Sequence, residues 1–213
     1  MGMKSGHDRL VDPEELLLRT DWSSVEHCCP NVAPTTPAIL RQLLDDDAGK
    51  QGAALRDLQQ AVTHSNTFYS ATAPAASFVA AILGHPRTLA PVTDQTPWEA
   101  AAFGAKPRFP LRVGLLNWLC SAAWDANEES PDGYEADIEA FRTLRPTLYE
   151  AIQPFLADDE QQIRDAAMAA VLPLIAAPEL VHQAEDITSF QRYRHTPDDV
   201  RAHTEGFADD PPF

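Results

Sequence analysis

Apolar residues return along this chain at helical spacing, in runs separated by short acidic or proline-bearing turns. Ile39, Leu40, Leu43 and Leu44 make one stripe, and Ala54, Leu55, Leu58 and Val62 make the next, with Asp45-Asp46-Asp47 between them. Phe78, Val79, Ile82 and Leu83 predict a helix over 74–84, and Leu111, Leu115, Trp118, Leu119 and Ala122 another near 110–125. From Tyr134, Ile138, Phe141, Leu144, Leu148, Ile152 and Phe155 form a long stripe that Pro146 and Pro154 must kink or divide. Ile163, Ala166, Ala167, Ala170, Val171 and Leu174 trace the best-defined face. Met168, Leu172 and Ile175 add a second one, as in a helix packed between layers. Asp12-Pro13-Glu14-Glu15 and Thr36-Pro37 have the chemistry of helix starts, and Asp159 with Gln162 is the expected cap of the last helix. Segments 20–35, 64–74 and 126–133 are predicted as irregular connections.

One step recurs three times: an apolar pair, a turn, then a second apolar-faced helix. Leu43-Leu44 leads to Ala53-Ala54-Leu55, Ile82-Leu83 to Leu111-Arg112-Val113, and Phe155-Leu156 to Ile163-Arg164-Asp165. Repeated helix pairs predict an all-α solenoid of about three pairs with terminal capping helices. The expected organisation is a flexible N-terminus over 1–11, one solenoid domain over 12–205 and an acidic disordered tail over 206–213. Leu156 and Arg164 are 8 residues apart, whereas Leu83 and Arg112 are 29 apart. The middle repeat therefore carries an insert over roughly 85–109, rich in proline and holding Trp98, Phe103 and Phe109. Inserts in repeats emerge as loops, often on a binding face. Its aromatics either meet a partner or pin the loop to the helices beneath.

Ile163-Arg164-Asp165-Ala166-Ala167 resembles the second-helix opening of HEAT-repeat proteins, where an Asp-containing turn precedes a Val-Arg or Ile-Arg step. Leu111-Arg112 follows the same pattern, and Gln51-Gly52 departs from it. Tyr69-Ser70-Ala71-Thr72-Ala73-Pro74 and Thr36-Pro37-Ala38-Ile39-Leu40 are similar to segments of short HEAT-like actinobacterial proteins. The resemblance spans about 36–176 and implies a fold built to present a surface. Its motifs report packing and carry no chemistry.

Composition and charge narrow the function classes. With 9 Gly against 18 Pro, the chain suits helices punctuated at their first turns better than hairpins. No apolar run approaches the ~18 residues of a membrane span, and no secretory signal opens the chain, so a cytoplasmic protein without membrane contact is expected. Cys28, Cys29 and Cys120 form no CxxC pair and read as reduced thiols. The net charge of −16 is uneven: −2 over residues 1–124 and −14 over residues 125–213. That field repels nucleic acid and suits a basic protein partner, or else serves solubility.

Catalytic signals are weak. The histidines, His7, His27, His64, His85, His182, His195 and His203, show no metal-ligand spacing, and no phosphate loop or nucleophile motif is present. His195 and His203 flank Asp198-Asp199 in a segment that reads as a solvated turn, and His27 beside Cys28 lacks an orienting third group. No cofactor and no metal are expected. The reading is a non-enzymatic protein-binding module, an adaptor or an immunity-type protein that neutralises a basic partner. Its candidate contacts are Trp98 and Phe103 on the insert and Glu128, Glu129 and Asp132 in the acidic loop. The alternative is a small-molecule or metal-dependent enzyme at the 64–72 junction, where His64, Asn66, Thr67, Tyr69 and Thr72 cluster. Those side chains equally suit the satisfaction of backbone groups in a buried connection.

Overall fold

Capping chemistry starts the first helix where the sequence places it, whereas the second has Thr35 as its N-cap residue with no side-chain cap bond and keeps only the proline of the expected Thr36-Pro37 start. The computed structural model describes residues 12–27, 35–61, 63–64, 67–127, 133–175 and 180, with residues 61, 63, 64 and 67 given by backbone alone. In α1 (Pro13–Arg19) the Asp12 carboxylate accepts the Glu14 N–H at 3.0 Å. After α2 (Thr36–Gln42), Asp47 accepts the N–H groups of Gly49 and Lys50 and so opens α3 (Ala48–Ala61). The predicted irregular connection over 64–74 is corrected. Strands β1 (Thr63–His64) and β2 (Thr67–Phe68) pair antiparallel, Thr63 with Phe68 and His64 with Thr67. The hairpin delivers Phe68 into the core, edge-on to Phe141 at 5.3 Å.

α4 (Thr72–Ile82) is apolar on every side, and Ala75, Ala76, Phe78, Val79 and Ile82 are all buried. A helix without a polar face must be enclosed, and α4 packs against α1 and α2 as well as three later helices, α6 (Leu111–Asp125), α7 (Glu135–Thr143) and α8 (Arg145–Ile152). The stripe from Tyr134 divides at Leu144, because Pro146 lies in the first turn of α8, where its missing N–H leaves no bond unmade. Pro154 opens a 3₁₀ turn, Gln153–Ala157.

The insert contains its own short helix, α5 (Pro97–Phe103), between strands β3 (Pro91–Val92) and β4 (Phe109–Pro110). The last described helix is α9 (Gln161–Ile175). Asp158, rather than the expected Asp159, accepts an N–H at its start, that of Glu160 at 3.0 Å. Pro173 lies inside α9 and cannot donate to the carbonyl of Ala169, four residues earlier. The Cys120 thiol donates to that carbonyl at 3.2 Å, so a side chain of α6 satisfies the group that the proline orphans.

Two sets of contacts organise the helices. α3 packs on α6 and α6 on α9, while α4 packs on α2 and α8. α6 and α9 run parallel: Arg112 faces Asp158, Cys120 bonds to Ala169, and the Asn127 amide donates to the Pro173 carbonyl at 2.9 Å. The chain is thus mostly helical, with four two-residue strands among the described residues. No helix of the described residues is long and apolar enough to cross a membrane.

Candidate functional site

The segment over 85–109 is tied together by its own local chemistry, which makes it stiff. Residues Pro86–Leu89 form a 3₁₀ turn that His85 caps by accepting the Arg87 N–H at 3.2 Å. β3 and β4 then pair antiparallel, Pro91 with Pro110 and Val92 with Phe109, and close the neck. Above the neck, Gln95 spans the two arms: its amide nitrogen donates to the Gly104 carbonyl and its oxygen accepts the Lys106 N–H, both at 3.0 Å. Thr96 and Glu99 form a reciprocal capping box at the start of α5. These Thr96 bonds, side chain first and backbone second, hold the Glu99 carboxyl below its ordinary range. Gly104, at φ 84°, ends the helix in a conformation that side-chain-bearing residues avoid.

No residue of α5 is buried, so the helix stands off the body as a knob. Trp98 is 70% exposed and Phe103 76% exposed, and their rings meet edge-on at 5.8 Å. The insert does pin itself to the helices beneath, but through its neck: Val92 and Thr88 are buried, and Arg56 of α3 donates to the Asp94 carbonyl at 3.1 Å. Trp98 and Phe103 take no part in that anchoring.

Gly52, which departs from the Val-Arg or Ile-Arg step of the resemblance, belongs to the same feature. A Cβ at Gly52 would lie 2.3 Å from the Thr93 carbonyl oxygen. The neck therefore rests directly on α3 at a position that has no side chain.

The turns preceding α3, α6 and α9 are stitched in sequence. Arg87 donates to the Leu44 carbonyl and pairs with Asp46, both at 2.6 Å, while the Gln51 amide bridges the Leu43 and Arg87 carbonyls. Arg112 donates to the Thr88 hydroxyl at 3.1 Å, faces Asp158 at 3.7 Å and lies 4.7 Å from the Phe155 ring centre. Burial lowers the Arg112 pKa, and the charges of Asp158 and Glu160 oppose that shift.

The other predicted site residues fall differently. Thr72 is fully buried and its hydroxyl accepts the Tyr69 N–H at 3.2 Å, closing the turn into α4. The Tyr69 ring meets Tyr134 edge-on at 6.3 Å. His64 and Thr67 pair through their backbones in the hairpin, and Asn66 lies outside the described residues. Glu128, Glu129 and Asp132 also lie outside them, as do Cys28, Cys29, His182, His195 and His203. Burial first and the Glu26 charge second push the Asp137 carboxyl of α7 up. Among the described residues no group of three or more His, Cys, Asp or Glu side chains is placed to hold a metal ion. His27 is buried, with Nε2 2.7 Å from the Thr36 hydroxyl, and burial lowers its pKa.

Sequence reasoning missed two features. Thr96-Pro97-Trp98-Glu99 is a capping box with proline at the first helical position, and that signal identifies α5. A second exposed patch, Trp124 with Leu172, carried no signal beyond ordinary helical periodicity. Comparison with protein-family models, curated proteins and solved structures finds no match to this chain.

Proposed function

We propose that the chain is a non-enzymatic protein-docking module, a short HEAT-like stack of three helix pairs, α2–α3, α4–α6 and α8–α9, with α1 as a cap. The parallel run of α6 beside α9 supports this, as does the succession of stitched turns joined by Arg87 and Arg112. The observation that carries the functional reading is the Trp98–Phe103 pair on α5. Large rings exposed on a stiff element are the residue types that anchor interfaces, and a preorganised anchor loses little freedom on docking.

The partner is a basic protein, steered by the −14 charge of residues 125–213, and the role is that of an adaptor or an immunity-type neutralising protein in the cytoplasm. Nucleic acid is not the partner of so acidic a chain. The test is quantitative affinity capture from the native cell with the wild type and the Trp98→Ala/Phe103→Ala variant. A specific basic protein held by the wild type and lost by the folded variant is the expected result. Equal capture by both removes α5 from the interface, and a small-molecule turnover activity would overturn the reading altogether.

A further inference from the structure

α9 has two apolar faces, and the described elements enclose only one of them. On the second, Met168, Leu172 and Ile175 recur at i, i+4 and i+7; Met168 and Ile175 are half-buried, and Leu172 is 48% exposed. α6 continues this surface. The bonds of Cys120 to Ala169 and of Asn127 to Pro173 flank Trp124 and Leu172 on the two helices, so Trp124, 52% exposed, lies level with Leu172. α9 therefore has the make-up of an inner layer, yet it is the last described helix.

The chain supplies a covering element directly afterwards. Four residues separate Ile175 from Leu180, and Leu180 is 5% exposed within the core cluster, so the chain is back on the body at that point. Pro178-Glu179 has the chemistry of a first helical turn. On a helical wheel Leu180, Val181, Ala184, Ile187 and Phe190 share one half, and His182, Glu185, Asp186 and Ser189 fall in the other. A helix over 180–193 spans roughly 21 Å at ~1.5 Å per residue, enough to run the length of the 15-residue α9. A connection this short sets two helices side by side and antiparallel.

We propose that residues 180–193 of the same chain form a capping helix that runs back along α9 and covers Met168, Leu172 and Trp124. The short connection puts Ile187 near the level of Met168, so the apolar stripe of the segment meets the open face of α9. Its outward half carries Glu185 and Asp186, the polar outer face that the end of a helical stack needs. The choice of occupant follows from the tether. A segment joined four residues away is present at an effective concentration of about millimolar, and so holds the surface against a second copy or a weakly binding partner. The α5 rings are then the large exposed aromatic pair left for a partner, although the capping contact does not depend on that reading.

Amide hydrogen exchange on the full chain, followed by NMR, tests the proposal from both surfaces. In the wild type the amides of 184–193 should be protected, and dilution by about tenfold should leave their rates unchanged, as an intramolecular contact requires. Leu172→Asp puts a charge in the middle of the contact and should speed those amides at least about tenfold, while the amides of buried α4 keep their rates. Ile187→Asp makes the same test from the segment and leaves the described helices intact, so it decides the matter if Leu172→Asp fails to fold. It should speed the same amides and shift the Trp124 indole N–H resonance. Coil-like exchange over 184–193 in the wild type overturns the proposal. So does protection that survives both substitutions, since the segment would then pack elsewhere, and so does protection lost on dilution, which would give the surface to a second copy. All three results leave the α5 reading standing, because its own test is capture by the Trp98→Ala/Phe103→Ala variant.

Discussion

Replacing Gly52 by alanine opposes two known effects at one position. In an exposed helix interior, Gly→Ala stabilises by about 1 kcal/mol through helix propensity. Gly52 lies inside α3, but its added Cβ would approach the Thr93 carbonyl oxygen to 2.3 Å, more than 1 Å inside ordinary van der Waals contact. The obstacle is backbone, so the neck must move as a unit or α3 must tilt. Overpacking of this kind costs about 1–3 kcal/mol. The net expectation is a loss of up to about 2 kcal/mol, or a fall in Tm of up to roughly 4–8 °C for a chain of this size. Gly114→Ala should behave alike, since its Cβ would meet Leu55 Cδ2 at 2.4 Å and Leu55 is fully buried. Gly84→Ala is the control: nothing lies within 4 Å of its added Cβ, and its stability should change by less than about 0.5 kcal/mol. Calorimetry on the three variants measures the magnitudes. Hydrogen exchange adds a local readout, because the Leu111 N–H donates across the neck to Ala90 at 3.0 Å and should exchange faster in Gly52→Ala. A Gly52→Ala protein that melts higher than the wild type, with neck exchange unchanged, would refute the seating of the insert on α3.

Four further outcomes follow from the same contacts. Cys120→Ala should destabilise by about 1 kcal/mol, because it orphans the Ala169 carbonyl beside Pro173, while Cys120→Ser should recover part of that loss in urea titrations. Buried His27 resists protonation in the fold, so below its ordinary pKa of 6.5 the unfolded chain binds the extra proton and stability falls with falling pH until the folded pKa is passed. Above that value both states are neutral, and a His27→Asn variant whose pH profile parallels the wild type from pH ~7.5 to ~5 would exclude this contribution. Ala167→Asp places a charge at a fully buried site on α9 and should cost several kcal/mol, read as a large fall in Tm. Association with a basic partner should slow as salt rises from tens to hundreds of millimolar, and amides at Glu128, Glu129 and Asp132 should lower the on-rate more than they raise the off-rate.

Periodicity located the helices well because burial on one face leaves a repeating trace. Ile138 to Ile152 announced α7 and α8, and Pro146 marked the break between them. The hairpin at 63–68 left no such trace. Two residues per strand are too few for alternation to show, and what holds them is the remote contact of Phe68 with Phe141. Exposure was equally hidden. Leu172 has the spacing of a packed residue, yet it is 48% exposed on α9.

The candidate site shows the same limit from the other side. Two local anomalies stood in the sequence: a glycine where the repeat resemblance led one to expect arginine, and a proline-rich stretch between Leu83 and Arg112. Each alone suggests only a tolerated irregularity. Their spatial meeting at Gly52 and Thr93 makes them one feature, since only a residue without a Cβ lets the neck lie against α3. A neck seated this closely, clamped by Gln95 and closed by β3 and β4, fixes the direction in which α5 projects. That is the physical reason to read Trp98 and Phe103 as an anchor rather than as loop residues left in water. Rings on a slack loop would lose much of their binding energy to the ordering of that loop, and rings on a fixed one would not.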